Sequence, residues 1–182
     1  MQRLTTDCER KRMIKSKKML VLLRILLGVL ILLNAAMIFA FSEQDGTDSA
    51  KTSHQISQAI AENTVKDFHQ KPKKEQNKIV EKIDFPVRKV AHATEFGSLG
   101  ALIFLFLLTW RGGLLLRYLA SLGITFLYAC SDELHQKLSG GRHAAFSDTL
   151  VDLSGAVLTC TAILALLLLL RHRKKKGHAN VR

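Results

Sequence analysis

Residues 90–129 read VAHATEFGSLGALIFLFLLTWRGGLLLRYLASLGITFLYA, two apolar runs separated by RGG. A connection that short leaves room only for a tight turn between antiparallel helices. At about 1.5 Å per residue, a run of this kind crosses a hydrocarbon core roughly 30 Å thick. Working outward, a run at 19–41 precedes this pair and a run at 150–170 follows it. The expected fold is therefore all-α, a polytopic membrane protein with four transmembrane helices. Thr109-Trp110, at the end of run 90–110, provides an interfacial anchor.

The composition agrees. Of 182 residues, 48% are hydrophobic, yet the formal net charge is +12, and the two properties are segregated along the chain. A nucleic-acid-binding domain would carry a basic face interleaved with aromatics on a soluble fold, so nucleic acid is excluded as a partner. The lipid bilayer is the expected one. Cys8, Cys130 and Cys160 show neither CxxC nor metal-ligand spacing and read as small apolar residues.

The first run carries Arg24 near its start, where a long side chain reaches the interface. It exceeds the apolar length of about 7–15 residues usual in a signal peptide and lacks a good small-x-small site before Phe41. It is read as a retained anchor, with cleavage as the competing reading. The division expected is a basic tail at 1–18, a membrane domain at 19–170 with an outer loop at 42–89, and a second basic tail at 171–182.

Orientation follows from Lys/Arg bias in the short flanks. The N-terminal tail holds Arg3, Arg10, Lys11, Arg12, Lys15, Lys17 and Lys18. The C-terminal tail holds RHRKKK, and the short loop region carries Arg111 and Arg117. Four spans put all three on one side, so both termini are expected to be cytoplasmic. Residues 42–89 and 133–147 then face outward. Within the long loop, 57–68 reads as a weakly amphipathic helix, broken by Pro72 and KPKKEQNK. Ile79, Val80 and Ile83 resume a short helix before Pro86, which suits the first turn of the second span. The loop fits a solvated linker resting on headgroups as well as a lid over a site.

With this topology the unusual polar residues fall in one layer near the outer surface. Arg88, Lys89, His92 and Glu95 end the second span, Asp132, Glu133, His135 and Gln136 end the third, Arg142 lies in the loop, and Asp148 and Asp152 begin the fourth. Arg88, His92 and Glu95 share a face at i, i+4 and i+7; Asp132 and Gln136 are four apart, as are Asp148 and Asp152. Glu95 and Asp152 lie a turn or more inside apolar runs, where a charge is costly unless paired or facing a wet cavity. The structural reading is a salt-bridged network that fixes helix packing, and Asp148 after Ser147 suits a helix N-terminus without further purpose. The functional reading is a ligand site. Arg88, Lys89 and Arg142 suit phosphate. Asp132, Glu133, Asp148 and Asp152 suit a hard cation, although no fixed metal spacing is met. His92 and His135 suit acid–base work, and His92, Glu95, Asp132 and Glu133 are the catalytic candidates. Gly140-Gly141 is too short for a phosphate-binding loop.

RKVAHATEFGSLG at 88–100, followed by SDELHQKLSGGRHAAFSDTLVDLSGA at 131–156, resembles the VanZ-like membrane proteins. The pattern is Arg-Lys-x-x-His, then Asp-Glu-x-x-Gln, a Gly-Arg, and spaced aspartates before a glycine. Here it falls on Arg88, Lys89, His92, Asp132, Glu133, Gln136, Gly141, Arg142, Asp148, Asp152 and Gly155, with Glu95 following the histidine. FSEQ at 41–44 resembles the family's Phe-Ser-x-Gln. The likeness covers about residues 20–170. Ala93 stands where the family usually has an aromatic after the histidine, and the long charged outer loop lies outside the pattern.

The resemblance implies a bacterial cell membrane and an association with resistance to teicoplanin, a lipoglycopeptide acting at the outer face. It implies no particular reaction and no cofactor. The expected function is engagement, at the outer face, of an envelope lipid, a lipid-linked cell-wall intermediate or a glycopeptide antibiotic. One alternative is a membrane enzyme hydrolysing or transferring a phosphate ester of a lipid-linked substrate, with water, Ser131 or His92 as nucleophile. The other is a structural membrane protein without a ligand. The spans show no paired broken segments of a transporter. Gly97, Ser98, Gly100 and Ala101 fit close packing within the chain or a dimer contact.

Overall fold

The computed structural model describes residues 2–43, 46–138 and 146–179, with side chains described over 16–42, 53–136, 147–173 and at 176. Five α-helices and one 3₁₀ turn account for them: α1 (Gln2–Glu43), α2 (Gly46–Thr64), the turn Phe68–Gln70, α3 (Lys73–Leu108), α4 (Leu114–Leu138) and α5 (Phe146–Ala179). There is no strand among the described residues. Four helices are long and apolar enough to cross a membrane, within Ser16–Ser42, Lys73–Leu108, Leu114–Gln136 and Ser147–Arg173. Their exposed leucines, Leu22, Leu32, Leu158 and Leu169 among them, point outward as lipid requires. The fold is thus all-helical and multi-pass.

The central helix is α3, which packs against α5, α4, α2 and α1. Lipid tails are as apolar as leucine, so helices in a bilayer are held by close backbone approach and interhelical hydrogen bonds. Both are present. A Cβ on Gly97 would sit 3.1 Å from the Gly155 carbonyl oxygen, and one on Gly100 would sit 2.9 Å from Ala156 Cβ. The small residues of α3 therefore meet α5 of the same chain. Thr159 Oγ1 donates to the Gly97 carbonyl at 2.8 Å. On the other side Asn34 Nδ2 donates to Ser98 Oγ at 2.8 Å, and Tyr128 OH donates to the Ala35 carbonyl at 2.7 Å. Ile38, Phe96, Leu99, Ile103 and Ala129 fill the space between α1, α3 and α4.

Two details go beyond the sequence. Arg24 reaches the end of α3 at the interfacial Thr109-Trp110: its Nη2 donates to the Thr109 carbonyl at 2.7 Å and Nε to Thr109 Oγ1 at 3.2 Å. The guanidinium lies 4.1 Å from the Trp110 ring centroid. A cation at the exposed carbonyls of a helix end answers both the orphan acceptor and the helix dipole. Arg24→Lys keeps the charge but not the planar fork or the stacking. It is expected to cost about 1 kcal/mol, and Arg24→Ala about 2 kcal/mol, read as lowered melting temperatures in detergent.

The second is a change from the expected outer segment. The helix expected at 57–68 begins earlier and ends at Thr64; Asp67 adopts a left-handed conformation (φ 56°) that turns the chain. Pro72 caps α3 instead of only breaking the pattern, its carbonyl accepting from Glu75 N at 2.8 Å and Gln76 N at 3.1 Å. No separate short helix precedes Pro86. α3 runs unbroken from Lys73 through Pro86 into the membrane. The missing N–H of Pro86 frees the Lys82 carbonyl on an exposed part of the helix, where water can satisfy it. α2 lies against this extension through Ala61, Phe68 and Val80, with Val65, Ile79 and Ile83 around them. Ser57 Oγ donates to Asp84 Oδ1 at 3.3 Å.

Candidate functional site

At one end of the bundle the last turn of α1, the middle of α3, the end of α4 and the start of α5 come together. A small cleft there, with an enclosed volume of about 20 Å³, is lined by Lys89, His92, Glu133, Gln136, Asp148, Val151 and Asp152. Helical spacing explains the grouping: Lys89 and His92 face α5 from one side of α3, and Asp148 and Asp152 answer from successive turns of α5. Lys89 Nζ pairs with Asp148 Oδ1. His92 Nδ1 is 3.7 Å from Glu95 Oε2 on the same helix.

Behind the cleft lies Asp132, which is only 5% exposed. Its Oδ2 accepts from Ser42 Oγ at 2.8 Å and from Gln136 Nε2 at 2.9 Å. Gln136 Nε2 also lies 3.1 Å from Ser42 Oγ. Asp132 Oδ1 is buried with no hydrogen-bond partner among the described residues. Glu95 and Asp152 both lie within electrostatic reach of Asp132, and Asp152 also within reach of Glu133, Asp148 and Lys89. A buried carboxylate oxygen without a donor is costly and is kept only where something offsets it.

Not every residue of the sequence-derived set enters this cleft. Arg88 Nε lies 3.1 Å from Asp84 Oδ2, and Asp84 is 8% exposed beneath Ser57 of α2. Arg88 thus points to the α2–α3 contact and not to the cleft. His135 stacks on Phe39 of α1 with ring centroids 4.6 Å apart. Ser131 is exposed and donates to the Tyr128 carbonyl of its own helix at 2.7 Å, so its hydroxyl is not presented to the cleft. Arg142, with Gly140 and Gly141, lies outside the described residues. Among the described residues no three His, Cys, Asp or Glu side chains converge to hold a metal ion.

Sequence reasoning passed over Asp84, Asn34 and Tyr128. A lone amide within an apolar run was the available signal for Asn34. Ser42 was legible only through its place in FSEQ; the structure shows what it touches.

The fold and this layer define a multi-pass helical membrane protein whose polar side chains gather at one end of the bundle. The chain belongs to the VanZ/LLP1 family, whose sequence model matches residues 27–169. No curated protein and no solved structure matches it.

Proposed function

We propose that the cleft opens to the outer leaflet of a bacterial cell membrane, with both termini cytoplasmic. There it engages the polar head of an envelope lipid, a lipid-linked cell-wall intermediate or a membrane-bound lipoglycopeptide. By this route it contributes to teicoplanin-type resistance. The observation that carries the reading is the cleft itself: four helices bring polar ends together beside Asp132, whose buried Oδ1 has no donor among the described residues. The basic flanks support the orientation, since Lys/Arg-rich short segments stay cytoplasmic. Lys89, at the rim, is placed to meet an anionic group, with Glu133, Asp148 and Asp152 as acceptors for its hydroxyls or amines. The 3.7 Å approach of His92 to Glu95 favours, as a second reading, acid–base work on a phosphate ester. Turnover of a lipid phosphate by the purified protein separates that from binding alone.

The test is melting of purified wild type, Asp152→Asn and His92→Ala, each with and without extracted envelope lipids. A ligand at a hundred times its dissociation constant stabilises by about 2.7 kcal/mol. Both variants are expected to melt with wild type in detergent alone and to lose the lipid-dependent rise. Variants that keep the rise, or that melt far lower without lipid, would make the layer a structural lock.

A further inference from the structure

The extension of α3 above the cleft carries a second feature. At 3.6 residues per turn, positions 74, 78, 82, 85 and 89 fall within about 40° of one line along the helix. They are Lys74, Lys78, Lys82, Phe85 and Lys89. Lys74, Lys78 and Lys82 are exposed, and Phe85 is 62% exposed. Val80 and Asp84, on the opposite face, are buried toward α2. None of the three upper lysines makes an ion pair among the described residues, whereas Glu75 is engaged by Lys71 at 2.9 Å. Glu81 stands beside the line, about 60° round the helix. The line ends at Lys89, which lies 5.5 Å from the Phe85 ring centroid and lines the cleft.

From this we infer that the outward face of α3 is a docking track for an extended phosphate-bearing polyanion, whose inner end reaches the cleft at Lys89. The inference rests on the proposed outward orientation of that end. Lys74, Lys78 and Lys82 are about 6 Å apart along a stiff helix, Lys89 lies about 10 Å further on, and Lys74 stands about 22 Å beyond Lys89. Electrostatic attraction to the protein's own bilayer fades over a Debye length of about 8 Å at physiological salt. With α3 along the membrane normal and Lys89 at the membrane surface, Lys78 and Lys74 are therefore out of reach of headgroups. An elongated anion satisfies the three upper ammonium groups and ends at Lys89, which is paired with Asp148; a compact headgroup meets only Lys89.

The experiment is amine-reactive footprinting of the full chain in neutral-lipid nanodiscs, with and without long-chain inorganic polyphosphate. Lys74, Lys78 and Lys82 are expected to be protected more strongly than Lys66, which lies off the track in the turn after α2. With three or four phosphate contacts, raising salt from about 50 to 200 mM should weaken the protection about 20–50-fold. Equal labelling of Lys66 and the three track lysines, or no protection of the latter, overturns the track. So does equal protection by anionic nanodiscs without polymer, which assigns these lysines to a lipid surface. The triple variant Lys74→Ala, Lys78→Ala, Lys82→Ala separates the two readings. It is expected to keep the lipid-dependent rise in melting temperature, because the cleft is untouched. A footprint without that rise in wild type leaves the polyanion track standing and removes only the ligand in the cleft.

Discussion

Gly155→Ala is expected to cost about 3 kcal/mol, the upper end of the usual penalty for overpacking, and Gly155→Leu should prevent accumulation in the membrane. A Cβ at this position would run into the Ala93 carbonyl, with the carbonyl carbon 2.6 Å away. The obstacle is backbone, so no rotamer change relieves it; α5 must move away from α3. That movement would also loosen Gly97 against Gly155 and the Thr159 hydrogen bond to the Gly97 carbonyl. Gly28 and Gly123 have nothing within 4 Å of an added Cβ, so Gly28→Ala and Gly123→Ala serve as neutral controls. Thermal melting in a mild detergent reads all three. A Gly155→Ala protein that melts with the controls would mean that α3 and α5 do not approach this closely.

Asp132→Asn is expected to act in the opposite direction on stability and still abolish the response to lipid. The amide oxygen can keep accepting from Ser42 and Gln136. Its NH₂ group then replaces the carboxylate oxygen that has no donor among the described residues, and the negative charge beside Glu95 and Asp152 is removed. Relieving one buried unsatisfied oxygen stabilises by about 1–2 kcal/mol. Sites retained for function commonly carry such a cost. Loss of stability in Asp132→Asn would show that the charge itself holds α1 to α4, and the ligand reading of the layer would fall with it.

Much of the fold is legible in the sequence because the signals behind it are local. The apolar runs, the RGG turn and the absence of strand patterning follow from hydropathy and spacing within a window of a few turns. The polar layer follows too, because antiparallel spans of similar length bring alternate ends to the same depth. Pro86 was misread for a related reason. Local rules give its preference for a helix start, but not that solvent on the exposed side lets α3 pass straight through.

Rotation of each helix about its axis is not local, and there the sequence alone runs out. Arg88 and Lys89 are neighbours with the same charge, yet one turns to Asp84 under α2 and the other to Asp148 on α5. Spacing of four residues places Asp132 and Gln136 on one face without saying that Ser42, on another helix, completes the group. Arg24 as the cap of α3 and Gly155 as the seat of Ala93 likewise join residues far apart in the chain. The sequence by itself determined an all-helical chain of four apolar spans and the end of the bundle at which its polar residues gather. Which of those charges meet was decided only by the tertiary structure, because contacts between helices depend on how closely and at what rotation their small residues allow them to pack.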